Sequence, residues 1–580
     1  MSTGLPAPLP VPVENAPVPR SPFPVPQAKR GRTPGGWKLA APVLLILLWL
    51  VLYPNIWVLG DSFLDGGRPT LEHYRRFFGS GSELQALWAS VWISLASVIL
   101  SGAVGVPLAF LFARRDFPGR KVLGALAALP VLLPPLVGTI SFLFLYGESG
   151  LLTRGVQAAL GMAEPPWRLS GPVAVLLVHA YTMYVYFYLF TAAGLARLDG
   201  GYAEAAAALG AGWWTTMRRV TLPMLAPAIG GAALLVFMTS MGSFSAPYVF
   251  GGGFRVLTTQ LYASKLNGES GLVAVEAVVL ALASLLFLVM LQRWEAAREY
   301  TGASKGLGAA PAARGRGGWG ITLLGAALVG FLLLPHATVL LVSFVPEGTW
   351  TIETLPPVYS PAAYGALFTD PQRLRPVLNS LAMASLATFA NVLFALAAGY
   401  HLARSRSRNR WLVSALVTLP WALPGTVLAI ALASTFSVNR PLTGQFVLVG
   451  TFAILPLAYF VRNIPLVTRA ALGSFRQLDP SLEEAAASLG ATRATTLRRV
   501  VLPRVLPGIA AGALLAFVTA LGEFVASILL YTHRTRPIAV EMLSQLRAFD
   551  FGGAAAYGVL LIALVAVVFA FGYRGVAENN

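Results

Sequence analysis

Cysteine is absent from the chain, which excludes a disulfide framework, a thiolate metal site and a cysteine nucleophile. Histidine is almost as scarce. The five present are scattered, with no HExxH and no paired-ligand spacing, so neither a resident metal nor a bound cofactor is expected. Charge is thin as well: Asp, Glu, Lys and Arg make up 11% of the 580 residues, where a soluble domain carries about 25%. The Walker A pattern G-x-x-x-x-G-K-[ST] is missing, so the chain is not expected to hydrolyse ATP or to be an enzyme. A literal G-x-G-x-x-G at Gly315, Gly317 and Gly320 follows an Arg-rich stretch with no strand before it, and reads as a linker coincidence. No paired carboxylates and no Ser/His constellation are expected inside the apolar runs, which argues against a membrane-embedded enzyme.

Apolar sequence is abundant instead, at 56% hydrophobic residues and a mean hydropathy of +0.69. Crossing a hydrocarbon core of about 30 Å takes about 20 helical residues. Twelve runs qualify: 38–60, 87–113, 122–146, 172–194, 223–247 and 271–292, then 319–343, 378–403, 411–436, 446–468, 503–530 and 553–573. The net charge of +18 and pI near 10.4 would suit nucleic acid if the cations formed one patch. They sort by membrane side instead, so no nucleic-acid partner is expected. With the N-terminus inside, 28 of the 42 Lys and Arg fall in cytoplasmic segments and 13 in external ones, with Arg462 left inside a span. That bias predicts a multi-pass protein of the inner (plasma) membrane with both termini cytoplasmic. Residues 1–36 are Pro-rich, carry Arg20, Lys29, Arg30 and Arg32, and lack the apolar core of a signal peptide, so a disordered basic tail is expected.

The chain repeats itself. EAAAALGAGWWTTMRRVTLP (204–223) and EAAASLGATRATTLRRVVLP (484–503) agree at fourteen of twenty positions, 280 residues apart. LPVLLP (129–134) is answered by LPWALP (419–424), and Pro54, Ser62 and Phe63 by Pro335, Ser343 and Phe344. Six spans per half keep both copies in one orientation, so the expected fold is all-α and integral to the membrane: twelve transmembrane helices as two parallel six-helix repeats. The expected division is a first domain over 37–293, a linker over 294–318 and a second domain over 319–575.

Each copy of the repeated stretch reads as a short capped helix. Asp479 is placed to accept from the first backbone N–H groups, Pro480 suits the first position, and Gly210 and Gly490 suit left-handed C-caps. Small Ala faces and one Glu per helix fit a docking surface for another protein. At this point the sequence resembles the membrane subunits of binding-protein-dependent ABC importers. Their cytoplasmic signature is EAA, three residues, Gly, nine residues, Ile, one residue, Leu-Pro. It is met here by Glu204, Ala205, Ala206, Gly210, Val220, Leu222 and Pro223, and by Glu484, Ala485, Ala486, Gly490, Val500, Leu502 and Pro503, with Val in place of Ile. The resemblance implies a fused pair of type I permease domains. It implies that Glu204, Ala205, Ala206, Gly210, Glu484, Ala485, Ala486 and Gly490 couple to two separate ABC ATPase subunits, which use Mg-ATP, and that an extracytoplasmic binding protein delivers the solute. SFSAPYVFGGGFRVLTTQLY (243–262) looks most like the ferric-iron branch, with thiamine, phosphonate or another small solute as alternatives. The alternative class is a secondary transporter of the major facilitator type, which also has twelve spans in two parallel halves.

Pathway candidates come from costly residues within spans. Arg462, Glu523 and His179 are the ionisable ones singled out, and Ser243 stands at the position in the first half that Glu523 holds in the second. Tyr181, Tyr184 and Tyr188 share one helical face, reading first as an interfacial aromatic belt and second as pathway lining. Pro130, Pro134, Pro420 and Pro424 free backbone carbonyls at matched depths, as hinges or pathway lining.

Overall fold

The computed structural model describes residues 36–296, 313–314, 318–350, 353–405 and 409–577. The expected N-terminal tail and most of the expected linker lie outside the described residues. Helix dominates, and the repeat is visible in its bounds. Gly81–Arg114 and Pro371–Arg404 are each 34 residues long. Gly171–Arg197 packs along Gly81–Arg114 and Leu222–Met241, just as Ile454–Gln477 packs along Pro371–Arg404 and Leu502–Leu521. Small residues permit the close approach: a Cβ on Gly105 would lie 2.3 Å from the Tyr184 carbonyl oxygen, and one on Gly399 would lie 2.7 Å from Ala471 Cβ.

Twelve spans are expected from the sequence. Ten of the described helices are long and apolar enough to cross a membrane, and eleven if the bent pair Arg410–Ala422 and Gly425–Phe436 counts as one. The remaining run forms the helix Ile454–Gln477, but Arg462, Asn463, Arg469 and Arg476 interrupt its apolar sequence. The bend of 107° in the pair falls beside Pro424. The first half breaks its third span in the corresponding place, into Arg120–Ala127, a 3₁₀ turn over Leu129–Leu132 and Pro135–Tyr146.

Proline also explains a feature the sequence pattern does not announce. A π-helical turn precedes Pro54, Pro223 and Pro503, over Leu48–Leu52, Met217–Thr221 and Leu497–Val501. A proline ring clashes with the carbonyl four residues back and offers no N–H to it, and a widened turn relieves both problems.

The halves interlock. The opening helix of the first half, through Tyr53–Asp61, packs on Gly425–Phe436 of the second, and Gly318–Val342 of the second packs on Pro135–Tyr146 of the first. Polar contacts pin each crossing. Arg440 pairs with Asp61 at 2.9 Å and lies 4.3 Å above the Trp57 ring. Arg154 donates to the Glu353 carbonyl at 2.8 Å and lies 5.1 Å from the centre of the Trp350 ring.

Candidate functional site

Two features repeat in both halves: an exposed motif helix, and a helix break deep between the halves. The motif helices are Gly201–Ala208 and Ser481–Ser488. Asp199 and Asp479 each accept from the backbone N–H two residues on, at 2.9 Å, which orients the first turn. The backbone and hydroxyl of Ser481 hold the exposed Asp479 carboxyl below the usual carboxylate range. Gly210 at φ +81 and Gly490 at φ +77 end the helices in the left-handed region. Glu204 and Glu484 are exposed, as are Ala205 and Ala485, while Ala206 and Ala486 are half-buried. Beyond them Leu209 is 89% and Leu489 88% exposed, an apolar tip that water does not favour and a partner would cover. The two helices differ in their anchorage. Arg404 and Tyr400 bond to Glu483 at 2.9 and 3.2 Å, whereas the first half has Ala203 at that position.

Each motif helix is followed by its π turn and then by a 20-residue helix, Leu222–Met241 or Leu502–Leu521. Those helices stop at Gly242-Ser243-Phe244 and Gly522-Glu523-Phe524, and short helices resume at Ser245 and Val525. Here the halves meet. A Cβ on Gly242 would lie 3.6 Å from Pro424, and one on Gly522 would lie 2.9 Å from Pro134 Cβ, so each break docks on the proline of the opposite half. Phe244 and Phe524 are buried with ring centroids 5.8 Å apart. The structure thus brings Pro134, Pro424, Ser243 and Glu523 together where the two halves meet.

The polar groups beside the two phenylalanines differ. In the second half Glu523 Oε2 pairs with Arg462 Nε at 3.2 Å, and its Oε1 accepts from the Ala526 N–H at 3.1 Å, capping the short helix. Arg462 lies over Gly425, whose Cβ would come within 3.3 Å of the guanidinium carbon, and its Nη1 is buried without a hydrogen bond among the described residues. In the first half Ser243 Oγ lies 2.8 Å from His179 Nε2, while Ser97 and Ser240 meet Nδ1 at 2.9 and 3.2 Å. Sequence reasoning expected no Ser/His constellation; the fold assembles one because Ser97, His179, Ser240 and Ser243 come from three separate helices and a break.

The tyrosine stripe is corrected by the structure. Tyr181, Tyr184 and Tyr188 are buried, so they form no interfacial belt. Pro130 has no N–H, and the turn before it tightens: Ala128 and Val131 bond to Ala125 and Ala128. The Gly124 and Ala127 carbonyls thereby lose their helical partners, and the hydroxyls of Tyr188 and Tyr184 donate to them at 2.9 and 2.7 Å. Tyr181 donates to the Leu332 carbonyl at 3.0 Å and lies 3.0 Å from His336 Nδ1, against the opening helix of the second half.

The pattern of the binding-protein-dependent transport system inner membrane component family matches residues 105–300 and again 391–574. The probable ABC transporter permease protein y4fN of Sinorhizobium fredii is 30% identical over 79% of this chain and 81% of its own length. The ferric transport system permease protein FbpB of Actinobacillus pleuropneumoniae is 25% identical over 91% of this chain and 76% of its own. The sulfate transport system permease protein CysT of Salmonella typhimurium is 35% identical over 35% of this chain and 76% of its own.

Proposed function

Because the chain belongs to the family of binding-protein-dependent transport system inner membrane components, we propose that it carries ferric iron across the inner membrane. In this reading an extracytoplasmic binding protein delivers the iron and two separate ATPase subunits drive it through. The chain is a fused ABC importer permease of two repeated domains, and that membership sets aside the facilitator class. Iron is favoured by relatives matched over most of the chain that are named for ferric transport. The iron is cargo and needs no protein-built ligand set here. Among the described residues no cluster of three or more His, Cys, Asp or Glu is placed to hold a metal.

The observation that carries the mechanism is the short connection from each motif helix to the long helix that ends where the halves meet, which we read as the constriction of the pathway. Each exposed motif helix leads, through one π turn, into a 20-residue helix that ends at the Phe244–Phe524 contact. Such a helix is about 30 Å long, so it conveys a push at one end to the other. We place both motif helices on the cytoplasmic face, with N- and C-termini on that side, as the distribution of Lys and Arg favours. Closure of the ATPases on Glu204–Gly210 and Glu484–Gly490 then rotates the two long helices and draws Gly242 and Gly522 off Pro424 and Pro134. Docking of the binding protein at the opposite face supplies the cargo, and the surrounding lipid holds the frame.

Reversing charge at both Glu204 and Glu484 to Lys is expected to abolish co-purification of the ATPase and uptake while leaving insertion intact. Undiminished uptake in that variant rejects the coupling role. Cargo is tested in vesicles holding the permease, its ATPase and its binding protein, by comparing labelled ferric iron with sulfate and molybdate. A second reading, an oxyanion, is favoured by the free Nη1 of Arg462 beside the constriction and by relatives named for sulfate and molybdenum transport. Uptake of the oxyanions without iron would select it.

A further inference from the structure

The second and last spans of the two halves superpose in sequence without a gap. Gly81–Arg114 maps onto Pro371–Arg404, Leu257–Leu266 onto Ile538–Arg547, and Ser270–Ala296 onto Phe551–Ala577. Four polar positions on these helices, all buried in the first half, can therefore be matched one to one. In the second half they are Arg373, Glu541, Gln545 and Tyr557, and every charge there is answered. Arg373 pairs with Asp550 at 3.1 Å, Glu541 takes Arg536 at 2.7 Å and Gln545 at 2.6 Å, and the Tyr557 hydroxyl donates to the Arg373 carbonyl.

In the first half the same positions hold Glu83, Gln260, Ser264 and Glu276. Sequence analysis expected no paired carboxylates in the spans, and the fold creates this pair from residues far apart in the chain. Glu83 is 3% and Glu276 0% exposed. Gln260 Nε2 donates to Glu83 Oε1 at 2.7 Å and Ser264 Oγ donates to Glu276 Oε1 at 2.7 Å. Gln260 and Ser264 stand one turn apart on Leu257–Leu266 and so bring the two carboxyls side by side, and the Oε2 of each is buried with no donor among the described residues.

The charged groups around the pair are engaged elsewhere. Arg255 donates to Gln260 Oε1 at 3.0 Å, Arg76 pairs with Glu269, and Lys265 donates to the Leu529 carbonyl. The His73 ring abuts Gly271, with Nε2 3.3 Å from the Leu64 carbonyl, and Asp61 on the neighbouring opening helix is held by Arg440. Two adjacent carboxylates in such a place would each lack a countercharge, and burial makes that repulsion costly.

We propose that Glu83 and Glu276 hold one proton between them, carried on Glu276 Oε2 and donated to the Glu83 carboxylate. Glu83 is the anion because it lies in the first turn of Gly81–Arg114, behind the Ser80 cap, where the positive end of the helix favours negative charge. The proton removes the buried repulsion and ties the start of the second span to the last, as the Tyr557 hydroxyl on the Arg373 carbonyl does in the second half.

The sign of the pH effect follows from linkage. A carboxyl that keeps its proton when folded and loses it when unfolded makes the fold less stable as pH rises through the folded pKa. The test uses the full chain in lipid nanodiscs. Wild type should show an infrared carboxylic-acid band at neutral pH that E276Q lacks, and its unfolding temperature should fall from neutral to alkaline pH. E276Q, whose amide replaces the O–H donor, should lose that fall while staying folded, and so should E83R, which installs the cation of the other half. Absence of the band in wild type, or a pH slope unchanged in E276Q, overturns the proposal. So does stabilisation of wild type by sodium, potassium or calcium at fixed pH that E276Q abolishes, since a metal cation would then be the ligand.

Discussion

Where the two helix breaks meet, the halves present the same backbone with different chemistry. The second half sets an ion pair, Arg462–Glu523, beside its phenylalanine, and the first sets a cluster of His179 with three serines. Helix ends, glycine breaks and docking prolines are matched, so the shared part is mechanical and the divergent part is polar. A fused chain is free to let one half diverge while the other keeps the geometry, because the opposite half supplies the proline against which each break rests.

The largest expected effect breaks this comparison at its charged side. Glu523→Ala leaves the half-buried Arg462 without its countercharge and should cost about 2–3 kcal/mol, against about 1 kcal/mol for Ser243→Ala, which removes one hydrogen bond. Denaturant or thermal unfolding of both variants in the same detergent reads the difference, and equal losses would refute a structural role for the ion pair. Copying first-half residues into the second, Glu523→Ser with Arg462→Thr, should recover most of the loss. In a double-mutant cycle the coupling should exceed about 1 kcal/mol.

A smaller effect separates the glycines. A Cβ at Gly522 meets Pro134 at 2.9 Å and one at Gly242 meets Pro424 at 3.6 Å. Gly522→Ala should therefore destabilise by about 1–3 kcal/mol and slow uptake, and Gly242→Ala by less than about 1 kcal/mol. The smallest contrast is expected at the motif helices. Gly210→Ala and Gly490→Ala should each cost about 1–2 kcal/mol, because both residues hold a left-handed φ. A clear inequality between them would show that the Arg404–Glu483 tether reaches the second motif's cap.

Much of this was legible in the sequence because it is local. The twin motif, its Gly caps and the apolar runs are written in consecutive residues; Arg462 and Glu523 stand out singly as ionisable groups in apolar runs, and Ser243 follows from the matched offset. Contacts between distant segments were not legible. Nothing in the spacing of Tyr184 and Tyr188 indicates that they cap carbonyls released by Pro130, which makes them structural where an interfacial belt was expected. Glu276 passed unnoticed although it stands alone in an apolar run. Its matched residue is Tyr557, and only the fold brings Glu83 to it.

The crossing of the opening helices limits how the permease moves. Residues Ala40–Asp61 rest on the broken span of the second half, and Gly318–Val342 on that of the first. The molecule is thus two hands, each gripping the other's wrist. Pulling them apart would strip apolar area and the Arg440–Asp61 and Arg154–Trp350 contacts on both sides at once. Any motion that separates the halves must therefore release the two clasps together.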